Sequence, residues 1–237
     1  MATTVTLTTP DGDMDLYDAE PAGEVRAAVI VAQEAFGVNP HIEDVTRRFA
    51  AVGYRAVAPS LFHRTGAPVI EYGDFEKVMP QFAGLSEAGV LNDIDAAIAY
   101  LDQHGFPMSR IGVVGFCMGG TVAFLASVRR PLGAGVTFYG GGVTEGRFGM
   151  ASMVDLAAEL KAPWLGLYGE EDQGIPVDQV EALREAVGGA EVDTDIVLYQ
   201  GAGHGFHCDM RPDYHEASAT DAWKRALAWF EKYLPAS

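Results

Sequence analysis

This chain has few cysteines, few cations and no long apolar run, and each shortage excludes a class of protein. Two cysteines, Cys117 and Cys208, are too few for a disulfide framework, and a reducing compartment would protect a reactive thiol. The 16 Lys and Arg against 33 Asp and Glu give a net charge of -17, which opposes nucleic acid and anionic membranes as partners. No segment approaches the ~20 apolar residues of a membrane span, and the N-terminus lacks a signal-peptide pattern. We therefore expect a soluble, cytoplasmic protein whose partner is a small molecule; monomer and homodimer stay open.

Metal and cofactor motifs are missing as well. Cys208 lies near His204 and His207 in the chain, but a second cysteine pair with metal-ligand spacing is absent. Neither a Walker loop nor a GxGxxG loop follows a strand-like run. The sequence predicts catalysis without a metal or a cofactor.

The most informative segment present is a glycine-flanked cysteine between a strand-like and a helix-like run. The segment reads Gly115-Phe116-Cys117-Met118-Gly119-Gly120. Small residues two before and two after the central residue are typical of a nucleophile elbow, here with Cys in place of Ser. Such a turn places the sulfur at a helix N-terminus, whose unpaired N–H groups favour a thiolate. A buried cysteine in a glycine-rich turn is the alternative interpretation of this motif alone.

Two partners for that cysteine follow in the order nucleophile, acid, histidine. Asp172 comes after the apolar run 164–168, and His204 comes after the run 196–199. An imidazole activates a thiol, and a carboxylate on its other nitrogen fixes its tautomer, so the three residue types act as one unit. This order and these positions after strands favour a Cys117-His204-Asp172 triad over three unrelated turn residues.

Apolar runs that alternate with helical periodicity predict a single α/β domain over residues 1–237. Unbroken apolar runs suit strands covered on both faces, as in a mostly parallel sheet. The opening segments 4–9 and 14–17, split by Asp11-Gly12-Asp13, predict an antiparallel hairpin at the sheet edge. The predicted strands are 27–32, 55–58, 111–114, 135–139, 164–168 and 196–199, and the predicted helices are 40–52, 88–103, 119–130, 177–187 and 219–233. Segment 64–85 contains scattered Gly and Pro, which indicates a short helix with loops near the mouth of the site.

These motifs together resemble the dienelactone hydrolase family of α/β-hydrolases, over nearly the whole chain. Besides the cysteine segment, the resemblance rests on Gln33-Glu34-Ala35-Phe36-Gly37-Val38-Asn39, Gly169-Glu170-Glu171-Asp172 and Gly201-Ala202-Gly203-His204-Gly205-Phe206. It implies that Glu34 contacts the resting thiol and moves when substrate binds. It also implies an oxyanion hole made by the backbone N–H groups of Ala35 and Met118.

One departure from the family concerns substrate recognition. In the family two arginines clamp a substrate carboxylate, and by spacing their places fall on Phe75 and Cys208, neither of which binds an anion. We therefore expect neutral esters or lactones to be preferred, unless Arg211 or Lys77 reaches the site. Six side chains are predicted to form a largely apolar substrate pocket: Phe36, His63, Phe75, Phe82, Tyr139 and Phe206.

The sequence thus predicts a hydrolase of small esters or lactones that forms a thioester on Cys117. Two alternatives stay open. The same triad would serve a thioesterase or another acyl-transfer enzyme. A non-catalytic ligand-binding protein on a hydrolase scaffold is the second alternative, and the complete triad argues against it.

Overall fold

The computed structural model describes residues 1–235 and contains one eight-stranded sheet. Its strand order is β1-β2-β4-β3-β5-β6-β7-β8. The first strand pairs antiparallel with the second, which pairs antiparallel with the fourth, and all other neighbours are parallel. The strands are β1 Ala2–Thr9, β2 Gly12–Ala19, β3 Ala27–Ala32, β4 Tyr54–Pro59, β5 Ile111–Phe116, β6 Ala134–Phe138, β7 Trp164–Gly169 and β8 Thr194–Tyr199. The predicted mostly parallel sheet with an N-terminal hairpin is confirmed.

Seven α-helices occur among the described residues, and none of them is long and apolar enough to cross a membrane. They are α1 Pro40–Ala51, α2 Phe75–Phe82, α3 Glu87–Gln103, α4 Met118–Arg129, α5 Met153–Leu156, α6 Val177–Val187 and α7 Glu216–Tyr233. The five predicted long helices agree with these bounds to within three residues at each end. The four-residue helix α5 was missed, because one turn is too short to show a period.

The central strands form the core of the molecule. Every residue of β3, β5, β6 and β7 is buried. Successive side chains of a strand point to opposite faces, so complete burial means that both faces of the sheet are covered. This packing explains the unbroken apolar runs in the sequence. It also brings the ends of β3, β5, β6, β7 and β8 to one edge, because parallel strands end on the same side of a sheet.

Segment 64–85 contains a short helix, α2, as predicted. Asp74 begins α2 by accepting a hydrogen bond from the Lys77 N–H. Val78 is buried, whereas Phe75 and Met79 on the same helix are exposed. The helix therefore packs by one narrow face.

Candidate active site

The backbone at Cys117 adopts a conformation that L-residues rarely take. Cys117 directly follows β5 and precedes α4, with φ 54° and ψ -117°. A Cβ on Gly115 would lie 1.7 Å from the Gly119 carbonyl oxygen, and a Cβ on Gly119 would lie 2.2 Å from the Ala32 carbonyl oxygen. Only glycine fits at either place, so the two glycines allow α4 to pack against the ends of β3 and β5. A strained residue of this kind at the end of a buried strand is a candidate functional position.

Asp172 and His204 lie together at the same edge of the sheet. The Nδ1 atom of His204 lies 2.6 Å from Oδ2 of Asp172. The second carboxylate oxygen accepts a hydrogen bond from the Gly174 N–H at 2.8 Å. Asp172 is 3% exposed, so both oxygens are satisfied within the protein. The Asp172 contact fixes Nδ1 as the protonated nitrogen and leaves Nε2 free to exchange a proton.

The charge environment of His204 favours the imidazolium form. Burial acts against a charged imidazole, but the negative charge of Cys117 and the hydrogen bond that His204 donates to Asp172 outweigh it and raise the pKa of His204 to about 10. A negative charge on Cys117 therefore favours the imidazolium form of His204. When Cys117 carries no charge, the main cause of the raised pKa is lost.

Glu34 is completely buried behind the elbow. It follows Gln33, whose carbonyl oxygen would lie 2.5 Å from a Cβ on Gly119. Gln33 is itself held by the Leu61 N–H, which donates to its side-chain oxygen at 3.0 Å. One carboxylate oxygen of Glu34, Oε2, accepts a hydrogen bond from the Tyr72 hydroxyl at 3.3 Å, while Oε1 is buried with no partner among residues 1–235. An unpaired buried carboxylate oxygen is costly, which marks this atom as a candidate for function.

Two backbone N–H groups beside the elbow are free. Those of Met118 and Ala35 donate no hydrogen bond to any described residue. Met118 is the first residue of α4, where N–H groups have no partner within the helix. Donors of this kind suit a developing oxyanion.

A cavity of about 480 Å³ opens over Cys117 and Met118, whereas Ala35 and Glu34 are not among the residues that line it. Cys117, His204 and Asp172 line it, together with Phe75 and Phe82 from α2. The full lining is Phe75, Phe82, Cys117, Met118, Thr121, Gly141, Arg147, Phe148, Glu171, Asp172, Gln173, Gly174, Ile175, Gly203, His204, Arg211 and Asp213. The Phe82 ring lies 4.9 Å from that of Phe148, so α2 and the segment 141–152 meet above the site.

Four of the six predicted pocket residues do not line this cavity. His63 instead bonds Asp93 at 3.0 Å in a buried ion-pair cluster. Phe36 is buried against the Tyr72 ring, at 4.8 Å between centroids. Tyr139 and Phe206 are also fully buried, and the Tyr139 ring lies 5.2 Å from that of His204. These aromatic residues therefore pack beneath the cavity instead of lining it. The sequence alone does not distinguish the two positions.

Two cations line the cavity, Arg147 and Arg211. The sequence left open that Arg211 or Lys77 reaches the site, and it did not point to Arg147. Arg147 is exposed, and its guanidinium forms no hydrogen bond or ion pair with any of residues 1–235. Its guanidinium lies over Gly141, where a Cβ would approach it to 2.8 Å. Arg211 is mostly buried and bonds Asp213 at 3.2 Å. Lys77 is exposed, pairs with Asp74 and does not line the cavity.

Sequence reasoning overlooked Arg147, although a signal was present. The run Gly140-Gly141-Gly142 after β6 has no side chains, so the long side chain of Arg147 from the same loop is able to lie over its backbone. No group of three or more His, Cys, Asp or Glu side chains among the described residues is arranged to hold a metal ion.

Comparison with known proteins places this chain in a family of hydrolases. The family model described as "Dienelactone hydrolase family" matches residues 14–234, and the chain belongs to that family. A "Putative carboxymethylenebutenolidase" from Salmonella typhimurium is 41% identical over 229 residues, which cover 93% of this chain and 83% of the relative. A protein of the same name from Methylorubrum extorquens is 42% identical over 228 residues, covering 94% and 78%.

The fold agrees with this assignment. A crystal structure described as "Putative Dienelactone Hydrolase" from Klebsiella pneumoniae superposes with a TM-score of 0.91 at 39% identity. The match covers 98% of this chain and 99% of that one. The predicted α/β-hydrolase fold is therefore confirmed, and the chain is a dienelactone hydrolase-like hydrolase that acts on a small molecule.

Proposed function

We propose that the protein hydrolyses small esters or lactones through a Cys117-His204-Asp172 triad and a thioester on Cys117. The observation that carries this proposal is the strained cysteine at the end of β5, in one cavity with a histidine bound to a buried carboxylate. A thiolate attacks carbonyl carbon readily, and a positioned imidazolium supplies the proton that the leaving oxygen needs.

In the acylation step, the Cys117 sulfur bonds to the carbonyl carbon and the carbonyl oxygen becomes an oxyanion. The N–H groups of Met118 and Ala35 donate to that oxyanion, which is worth on the order of 3 kcal/mol for each donor. The bond to the ester oxygen then breaks, and His204 Nε2 gives its proton to the departing oxygen. A thioester and a neutral imidazole remain.

Hydrolysis of the thioester uses the same histidine as a base. Acylation removes the thiolate charge, which is the main cause of the raised His204 pKa. The neutral imidazole takes a proton from water, and the hydroxide attacks the thioester carbon. The C–S bond breaks, and the thiolate and imidazolium form again. Asp172 holds the ring throughout.

Glu34 controls the thiol in the absence of substrate. A carboxylate beside a sulfur disfavours a free thiolate by like-charge repulsion, and in a desolvated pocket it is able to take the thiol proton. The buried position of Glu34 behind the elbow supports this role.

Arg147 favours the binding of a substrate that carries a negative charge. It is an unpaired cation on the wall of the cavity, where a carboxylate on the acid part of a lactone or ester would meet it.

Replacement of Cys117 by Ala tests the proposed nucleophile. The variant is expected to fold, since it loses only a sulfur atom, and to lose esterase and lactonase activity completely. Turnover by Cys117→Ala at a rate near that of the wild type would overturn the assignment.

Comparison of lactones, p-nitrophenyl esters and thioesters as substrates separates the hydrolase from a thioesterase on the same triad. Stoichiometric alkylation of Cys117 without turnover of any of them would instead indicate a ligand-binding protein.

A further inference from the structure

The hydroxyl of Tyr72 is the centre of a small hydrogen-bond network behind the active site. Three side chains surround this oxygen. The amide nitrogen of Asn39 lies at 3.0 Å, the sulfur of Cys208 at 3.2 Å and Oε2 of Glu34 at 3.3 Å. Tyr72 lies in the loop before α2, and the other three come from separate parts of the chain.

The direction of each hydrogen bond in this network is fixed by the donors present. Asn39 caps α1 with its side-chain oxygen, which accepts the Ile42 N–H at 3.1 Å, so its NH₂ group faces Tyr72 and donates. Burial and the nearby charge of Glu34 raise the pKa of the Cys208 thiol to about 11, so Cys208 keeps its proton and donates as well. The hydroxyl of Tyr72 has a single proton, and a carboxylate is a stronger acceptor than a sulfur. That proton therefore goes to Glu34.

The hydrogen bond from Tyr72 affects which oxygen of Glu34 takes up a proton. Because Oε2 already accepts the hydrogen bond from Tyr72, a proton on Oε2 would weaken that bond. A proton that Glu34 takes up is therefore favoured on Oε1, the oxygen that is buried and has no partner among residues 1–235. The two oxygens thus have different roles, one structural and one free for proton transfer.

The Tyr72 ring is held in place independently of this network. It packs edge-on against Phe36, and the Arg211 guanidinium lies 5.6 Å from the Tyr72 ring centroid and 5.8 Å from that of Phe36. The Ile70 N–H donates to the Phe36 carbonyl at 3.0 Å, which ties the loop to the segment after β3. Gly205, with φ 79°, makes room for Arg211, since a Cβ there would lie 2.8 Å from the guanidinium.

We propose that Tyr72, oriented by Asn39 and Cys208, is a positioning residue that holds Oε2 of Glu34 and leaves Oε1 as the oxygen that exchanges a proton with Cys117. In that exchange the S–H bond breaks and an Oε1–H bond forms, which yields a thiolate and a neutral carboxylic acid. The proposal rests on the proposed nucleophilic role of Cys117. It also gives Cys208 a role, since its thiol donates to the Tyr72 hydroxyl and helps to orient it.

Several other groups share this environment, and their charges enter any pH profile. Burial raises the pKa of Tyr139, and the charge of Glu34 raises it as well. Burial lowers the pKa of His41, and the charge of Glu34 partly offsets that lowering. Burial opposes the charge of Arg211, whereas Glu34 raises the pKa of its guanidinium. The titratable or charged groups around Glu34 are thus Tyr72, Tyr139, His41, Cys117, Cys208 and Arg211.

The test is the rate at which iodoacetamide alkylates Cys117, measured against pH by mass spectrometry of its peptide. Tyr72→Phe removes the donor, so Glu34 takes a proton more readily and repels the thiolate less. The midpoint of alkylation is expected to move down by about one pH unit, a tenfold effect. Cys208→Ser keeps a donor at this place and should match the wild type within about twofold.

A matched control and a double variant exclude a merely structural effect. Tyr199→Phe also removes a hydroxyl that donates to a carboxylate, here Asp221 at 3.0 Å, and it should leave the midpoint unchanged. Glu34→Gln should move the midpoint down as well, and Tyr72→Phe should add nothing in that background. An unchanged midpoint in Tyr72→Phe, or additive shifts in the double variant, would overturn the proposal. Activity that survives Cys117→Ala would instead overturn the nucleophile itself, so the two failures are distinguishable.

Discussion

Arg147 offers the sharpest test of substrate recognition, through the substitution Arg147→Gln. The side chain lines the cavity and forms no ion pair with residues 1–235, so its charge is available to a substrate. Two unit charges about 4 Å apart interact with about 1 kcal/mol in water and about 4 kcal/mol near a protein surface. Because Arg147 is exposed, the lower part of that range applies. We expect about 1.4 kcal/mol, a tenfold loss in kcat/KM for a lactone that carries a carboxylate.

The assay compares a carboxylated lactone with a neutral lactone of similar size, in the wild type and in two variants. Arg147→Gln should slow only the carboxylated substrate, while the neutral one changes by less than about twofold. Lys77→Gln is the control, because Lys77 is an exposed cation outside the cavity wall that is paired with Asp74 at 2.6 Å. The loss should shrink at high salt, since exposed charges are screened. An equal loss on both substrates, or a loss in Lys77→Gln as large as in Arg147→Gln, would refute the reasoning.

Three further predictions concern the triad and the elbow. The pKa of His204, about 10 with the thiolate present, should fall in Cys117→Ala because the neighbouring negative charge is gone, as an NMR titration of the imidazole would measure. Asp172→Asn should lower kcat by about 100-fold or more with little loss of thermal stability, because the Gly174 N–H keeps an acceptor while His204 loses its anionic partner. Gly115→Ala should destabilise the fold by about 3 kcal/mol or more, whereas Gly23→Ala, with open space around its Cβ, should change the free energy of unfolding little.

Each of these has an outcome that contradicts it. A His204 pKa that stays near 10 without the thiolate would show that Asp172 alone sets it. Full activity in Asp172→Asn, or equal stability of Gly115→Ala and Gly23→Ala in urea, would contradict the other two.

For the wild type, the raised pKa of His204 also fixes the sign of the pH dependence of stability. The stabilisation that His204 contributes is complete below its ordinary pKa of 6.5 and is lost as the pH rises through about 10.

The elements that repeat a simple pattern were predictable from the sequence. Buried parallel strands show as unbroken apolar runs, and Gly115 and Gly119 mark the elbow because only glycine fits there. Asp172 and His204 were located by their place after strands, where parallel strands bring side chains to one edge. These signals are local in the chain, so no knowledge of tertiary contacts is needed to see them.

The walls of the cavity were not predictable to the same degree. Arg147 and Arg211 reach the site from loops, through space that Gly141 and Gly205 leave open. Whether an aromatic residue such as Tyr139 lines a cavity or supports it from below depends on packing between distant segments. The role of Tyr72 likewise depends on contacts with residues far away in the chain, which leave no period or motif in its own neighbourhood.

The central claim is that the acyl group of the substrate is carried by Cys117. With enzyme in excess over p-nitrophenyl acetate, a sample quenched in acid within the first turnover and digested should show one acyl group on the peptide that contains Cys117. Hydroxylamine should remove it, as expected of a thioester. An acyl group on any other residue, formed and lost at the rate of turnover, would contradict the account.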